Sequence, residues 1–177
     1  ATADPPLPVI VRIVEAPVFA PDGTLQTTPG YHAASRTYYA PTPGFVVPEV
    51  REQPPAGDLI RARALILDEL LGDFPFVGDA ELAHAVGLLL LPFVRDLIGG
   101  PTPLHLIEKP TPGTGASLLA EVVAYVATGH PTAAMTEGRD EDEWRKRITA
   151  KLRGGPTLVL IDNLRRRLDS ASLSAAI

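Results

Sequence analysis

Pro110-Thr111-Pro112-Gly113-Thr114-Gly115-Ala116-Ser117 stands between a short apolar run, Leu104 to Glu108, and a helical pattern from Ser117 to Thr128. A strand, a glycine-containing loop and a helix, in that order, form a setting in which a loop can hold phosphate. Glycines let successive backbone N–H groups turn into one concavity, and the positive end of the helix lies where a polyphosphate would sit. The Ser117 hydroxyl is then placed to ligate Mg²⁺. Forty-five residues beyond Ser117, the run Leu158-Val159-Leu160-Ile161 reads as a buried strand that delivers Asp162 at its C-terminal end. A carboxylate there can hold the same metal through water. The plain structural alternatives are a tight strand-to-helix turn at the loop and a strand-end cap at Asp162-Asn163.

Between these two segments the chain alternates strand and helix, the rhythm of a parallel sheet with crossover helices. Gly129 is a stop for the helix 117–128, and Thr132 to Thr136 reads as a second strand. Asp140 to Arg153 carries acids at its start, bases toward its end and Gly154-Gly155 as its stop, the charge order that a helix dipole favours. Upstream lies a helical pair. Asp58 is the expected N-cap of the first member and Gly72 its C-cap; Asp79 is the expected cap of the second, which bends near Pro92 and closes at Gly99-Gly100-Pro101. The first forty residues read as short strands. Val9 to Val14 is a β-branched run, Pro21-Asp22-Gly23 is a turn, and Tyr31 to Tyr39 follows the Pro29-Gly30 turn as a hairpin. Pro41 to Gly57 holds five prolines and reads as an extended linker. The expected division is therefore 1–57, a β element with a Pro-rich linker, and 58–177, the helical pair with the strand–helix alternation.

With Gly113, Thr114, Gly115 and Ser117 ahead of an apolar strand ending in Asp162, the chain resembles P-loop NTPases of the AAA+ type. Their loop commonly reads G-P-P-G-T-G-K-[ST]. More narrowly it resembles the ATPase domain of phage, plasmid and mobile-element replication proteins, which is helicase-like and often fused to primase modules. Ala16 to Gly23, Pro29-Gly30-Tyr31, Gly72 to Phe76, Gly100 to Leu104, Ala127 to Pro131 and Ile161-Asp162-Asn163 extend that likeness over most of the chain. The resemblance implies an α/β fold with a partial P-loop NTPase core, preceded by a helical pair and a small N-terminal β element. It implies nucleotide-phosphate contacts from Gly113, Thr114, Gly115, Ala116 and Ser117, Mg²⁺ held by Ser117 and Asp162, and ATP as ligand. Asp162 and Asn163 would then take the catalytic positions.

Four departures shape what that likeness implies. Ala116 stands where the family's lysine reaches the β and γ phosphates, which weakens binding and cripples hydrolysis. Lys109, seven residues upstream, is the substitute cation within reach along the chain. Asn163 stands where a glutamate would polarise water, and an amide orients water without accepting its proton. Pro110 replaces the first glycine of the loop. Fifteen residues follow Asp162, fewer than the further strands, polar sensor and arginine finger require, and a sheet of about three strands leaves an unprotected edge. The expected function is a degenerate or incomplete ATP-binding module. Its rival is a non-catalytic interaction module that binds a partner protein, itself or DNA.

Composition narrows the field around these readings. Among 177 residues 45% are hydrophobic, enough to bury a core, and with no Cys the chain has neither disulfides nor thiolate metal sites. The densest apolar stretch, Ala85 to Val94, is too short for a membrane span and holds Pro92. The start, Ala1 to Pro6, lacks the pattern of a secretory signal, so a cytoplasmic location is expected. His32, His84, His105 and His130 have no zinc spacing, and Ser170, Ser172 and Ser174 have no nucleophile elbow. Net charge is −5, yet residues 139–169 carry nine bases and six acids. Arg145, Lys146, Arg147, Lys151, Arg153, Arg165, Arg166 and Arg167 are the candidates for DNA phosphates, with a solvated helical face as the simpler reading. A copy of the chain or a larger replication protein are the other expected partners.

Overall fold

The computed structural model describes residues 7–109, 111 and 113–177; Ala1 to Pro6, Pro110 and Pro112 lie outside the described residues. The chain is a mixed α/β protein with small sheets. In the N-terminal part, β1 (Arg12–Val14) pairs in parallel with β5 (Thr37–Tyr39), and β4 (Gly30–His32) pairs antiparallel with β5, giving the order β1-β5-β4. The expected hairpin over 31–39 forms. The β-branched run at 9–14 is strand only over its last three residues. β2 (Val18–Phe19) and β3 (Leu25–Gln26) make a second hairpin. Its turn uses Gly23 at φ +84°, and Asp22 accepts hydrogen bonds from the Thr24 amide and hydroxyl. Val14, Val18 and Tyr39 form the core of this part.

The linker is irregular to Pro55, and α1 (Ala56–Ala64) begins two residues before the expected cap. Asp58 is therefore not an N-cap. It sits inside the first turn, where a carboxylate suits the dipole, and pairs with Arg61. Helix continues as a π-helical turn over Leu65–Leu70. Gly72 is not a left-handed C-cap either: it is glycine because a Cβ would stand 2.3 Å from the Asp68 carbonyl oxygen. Asp79 is the first residue of α2 (Asp79–Val94) rather than its cap, the preceding Gly78 making no side-chain cap bond. Pro92 lies in the last turn of α2, which passes into a short 3-10 turn. Leu71, Ala85 and Leu119 form the second core, where α2 meets α3 (Ala116–Thr128).

α3 stops at Gly129, which is left-handed at φ +79° as expected of a C-cap glycine. Beyond it, β6 (Met135–Thr136) and β7 (Ile161–Asp162) pair in parallel across α4 (Glu141–Leu152). Asp140 caps α4, its carboxylate accepting the Glu143 amide at 2.8 Å. A four-residue helix, α5 (Ala171–Ser174), packs on α4 around the third core of Met135, Trp144 and Ile148.

The expected third strand, Leu104 to Glu108, is not a strand. It is irregular and makes no backbone hydrogen bond to another described residue. Likewise only the last two residues of 158–162 enter a ladder, so the parallel sheet has two strands. The reason is physical: a strand exists through its neighbour's hydrogen bonds, and neither run has a partner on its open side.

Candidate nucleotide-phosphate site

The loop ahead of α3 is shaped by two glycines. Gly113 and Gly115 both have φ +87°, a conformation that a side chain makes costly. Between them the Thr114 hydroxyl donates to the Thr111 carbonyl at 3.1 Å and holds the loop closed. Gly115 is the left-handed residue before α3, and its carbonyl accepts the Leu119 amide at 2.8 Å. The amides ahead of Leu119, from Gly113 through Leu118, have no acceptor among the described residues. The N-terminus of this 13-residue helix has no side-chain cap among the described residues. Phe74 comes from the turn before α2, and its ring would stand 3.5 Å from a Cβ on Gly115. It packs against Phe76 in a tilted pair at 6.1 Å. The composition of the loop points to its glycines but gave no sign of this aromatic cover.

Gly113, Thr114, Gly115, Ala116 and Ser117 are thus contiguous on one loop and helix head, with the Ser117 side chain exposed. Lys109 is exposed in the irregular segment before them and forms no ion pair among the described residues. Asp162 and Asn163 lie at the end of β7. Asn163 is left-handed at φ +58°, and the Asp162 carboxylate accepts its backbone amide at 2.8 Å and its side-chain amide at 3.4 Å. The carboxylate thereby caps its own turn. No hydrogen bond or shared cavity joins Asp162 to the 113–117 loop among the described residues. No group of three or more His, Asp or Glu side chains able to hold a metal ion occurs among them either.

The basic residues divide into two groups. Arg145 pairs with Asp142 at 2.8 Å, Arg147 with Glu143, and the Lys151 ammonium donates to the Ala133 carbonyl at 2.7 Å. Arg166 donates to the Arg139 carbonyl at 3.1 Å. Lys146, Arg153, Arg165 and Arg167 are exposed, and their side chains have no such partner among the described residues. Glu143 is held below the usual carboxylate range, first by the Arg139 amide and then by Arg147. His130 is pushed up by the Pro131 carbonyl and by Glu15, whose carboxylate lies 3.0 Å from its ring. Burial pushes His105 down, with His84 adding to it. No helix among the described residues is long and apolar enough to cross a membrane.

Compared with known proteins, the chain matches no family model, no curated protein and no solved structure.

Proposed function

We propose that the chain is a nucleotide-binding module whose loop holds polyphosphate without turning it over, akin to the helicase-like and primase-associated ATPases of mobile-element replication. One observation carries this reading: two left-handed glycines lead into the head of α3, where the amides from Gly113 to Leu118 meet no acceptor among the described residues. Oriented amides and a helix dipole suit a polyphosphate. Gly113, Thr114, Gly115 and Ala116 would contribute backbone N–H groups and Ser117 its hydroxyl as well. Mg²⁺ is read as arriving with ATP, since phosphate oxygens and water can fill most of its shell. Ser117 is its one direct protein ligand, with Asp162 acting through water once freed from its cap.

Absence of turnover follows from chemistry. Ala116 brings no ammonium to the β and γ phosphates, and Asn163 cannot accept a proton from water. Lys109 is the remaining cation on the segment that leads into the loop. DNA contact, on this reading, falls first to Lys146, Arg153, Arg165 and Arg167, because each of the other candidates already donates to an acceptor within the protein. Amide hydrogen exchange tests the nucleotide reading. Mg·ATP is expected to slow exchange at Gly113 to Leu118 and to leave α4 unchanged; unchanged exchange across the loop at saturating nucleotide contradicts it.

A further inference from the structure

The N-terminal part carries its own core of Val14, Val18 and Tyr39 and is tied to the remaining chain by the irregular linker that ends at Pro55. It rests on the ends of α2 and α3. Val14, Ala16 and Val18 line one side of a cavity of about 10 Å³ between them, and Pro92, Phe93 and Ala127 line the other. So little space marks a close apolar fit, and Val18 and Ala127 are buried in it. Two polar contacts bridge the same seam, since Arg12 and Glu15 line that cavity too. The Arg12 guanidinium donates to the Asp96 carboxylate at 2.9 Å. The Glu15 carboxylate lies 3.0 Å from Nε2 of His130, 115 positions away in the chain.

His130 is presented by a fixed piece of backbone. Gly129 ends α3 at φ +79°, and the Thr42 hydroxyl of the linker would stand 3.1 Å from a Cβ placed on it. The Thr128 hydroxyl, anchored on the Ala124 carbonyl at 2.8 Å, accepts the His130 amide at 3.4 Å. Both ring nitrogens then face oxygen: Nδ1 is 3.2 Å from the Pro131 carbonyl and Nε2 is 3.0 Å from Glu15. A carbonyl and a carboxylate only accept, so each contact needs an N–H from the ring, and the imidazolium alone has two. The neutral ring keeps one contact, turns a lone pair toward the other oxygen and loses the charge that attracts the carboxylate. Glu15 is the charged group within ion-pair distance of this ring among the described residues; Thr42, Thr128 and Pro131 beside it are uncharged. We propose that this contact is a pH-dependent clasp between the N-terminal sheet and the end of α3, closed while His130 is an imidazolium and slackened when it is neutral. In the same direction, the Pro131 carbonyl and then Glu15 hold His130 above its ordinary value of 6.5. A raised folded value contributes stability that is fully present below 6.5 and is lost as pH rises through the folded value. Ring and carboxylate are 55% and 39% exposed, so the clasp is graded, shifting the opening equilibrium about two- to fivefold. This inference stands apart from the nucleotide reading and requires no ligand.

The experiment is thiol labelling of the full chain carrying Ala127→Cys. The protein has no cysteine of its own, and position 127, 2% exposed at the seam, reacts only when it is uncovered. Labelling is followed at about pH 6 and about pH 8.5, on either side of the histidine range. Each rate is divided by the rate in urea at the same pH, which removes the ionisation of the thiol itself. The normalised rate is expected to rise about two- to fivefold from the lower to the higher pH. Glu15→Gln and His130→Asn, each added to the labelled chain, are expected to abolish the rise. A normalised rate that does not change with pH overturns the proposal, and so does a rise that survives both substitutions. Should Ala127→Cys fail to fold, the histidine ring resonances of the wild type replace it: His130 is expected to titrate above 6.5 and to move toward that value in Glu15→Gln. A His130 midpoint unmoved by Glu15→Gln overturns the proposal as well.

Discussion

At the scale of single residues, glycine does two different jobs. Gly113 and Gly115 supply positive φ, whereas Gly72 and Gly138 supply room. A Cβ on Gly138 would stand 2.6 Å from the Trp144 amide nitrogen and 2.8 Å from its ring, against the best-packed residue of the C-terminal core. Gly138→Ala is therefore expected to destabilise this part by about 2 kcal/mol through overpacking, read as a lower urea midpoint of the Trp144 fluorescence with an unchanged slope. An unchanged midpoint would mean that the Trp144 backbone and ring both shift at no cost. Gly113 and Gly115 were legible as turn positions because two glycines one residue apart, directly ahead of a helical pattern, mark a sharp strand-to-helix turn whatever its use. Gly72 was legible as a special position but for the wrong reason, since a C-cap and a close backbone approach both read as glycine after an apolar run. Gly138 and the Phe74 ring over Gly115 were not legible: both depend on a neighbour set by tertiary packing.

At the scale of elements, α4 was the most legible part of the chain. Its cap, its charge order and its stop are local features, and Asp140 and Gly154-Gly155 state them within one segment. The two strand runs at 104–108 and 158–160 were misread for the opposite reason. Their apolar character pointed to burial, yet Leu104, Leu106 and Val159 are exposed and no residue of 158–161 is buried, because a ladder needs a partner that the run itself does not encode. α4 also carries a pH signature. Glu141 is held low first by the Ser172 hydroxyl and then by the Ser172 amide, and Glu143 by the Arg139 amide and then Arg147. A depressed folded value means stability that is present above the ordinary glutamate value of 4.5 and is lost as pH falls through the folded value. Acid titration followed by Trp144 fluorescence is expected to show the α4–α5 region loosening below that value. Ser172→Ala should move its onset to higher pH. An onset unmoved by Ser172→Ala would show that the Glu141 contact contributes nothing to docking α5.

At the scale of the molecule, three small cores stand in place of one. Val14, Val18 and Tyr39 hold the N-terminal sheet, Leu71, Ala85 and Leu119 the helical pair with α3, and Met135, Trp144 and Ile148 the C-terminal part. The Arg12–Asp96 pair at 2.9 Å and the His130–Glu15 contact join the first to the rest. A slot of about 330 Å³ lies between the second and third cores, lined by Leu88 and Val123 on one side and Met135 and Ile148 on the other. The sequence showed the α/β rhythm and the order of elements. It did not show that the parallel sheet stops at two strands, because pairing is decided among segments distant in the chain.

On the proposed reading the loop at the head of α3 binds nucleotide phosphate, and calorimetric titration of Mg·ATP into the purified chain decides the point, with Ser117→Ala and Ala116→Lys alongside. Weak binding is expected for the wild type, with its loss in Ser117→Ala and an affinity at least about tenfold higher in Ala116→Lys, where an ammonium again reaches the phosphates. No heat of binding in any of the three, with all three folded, would contradict it.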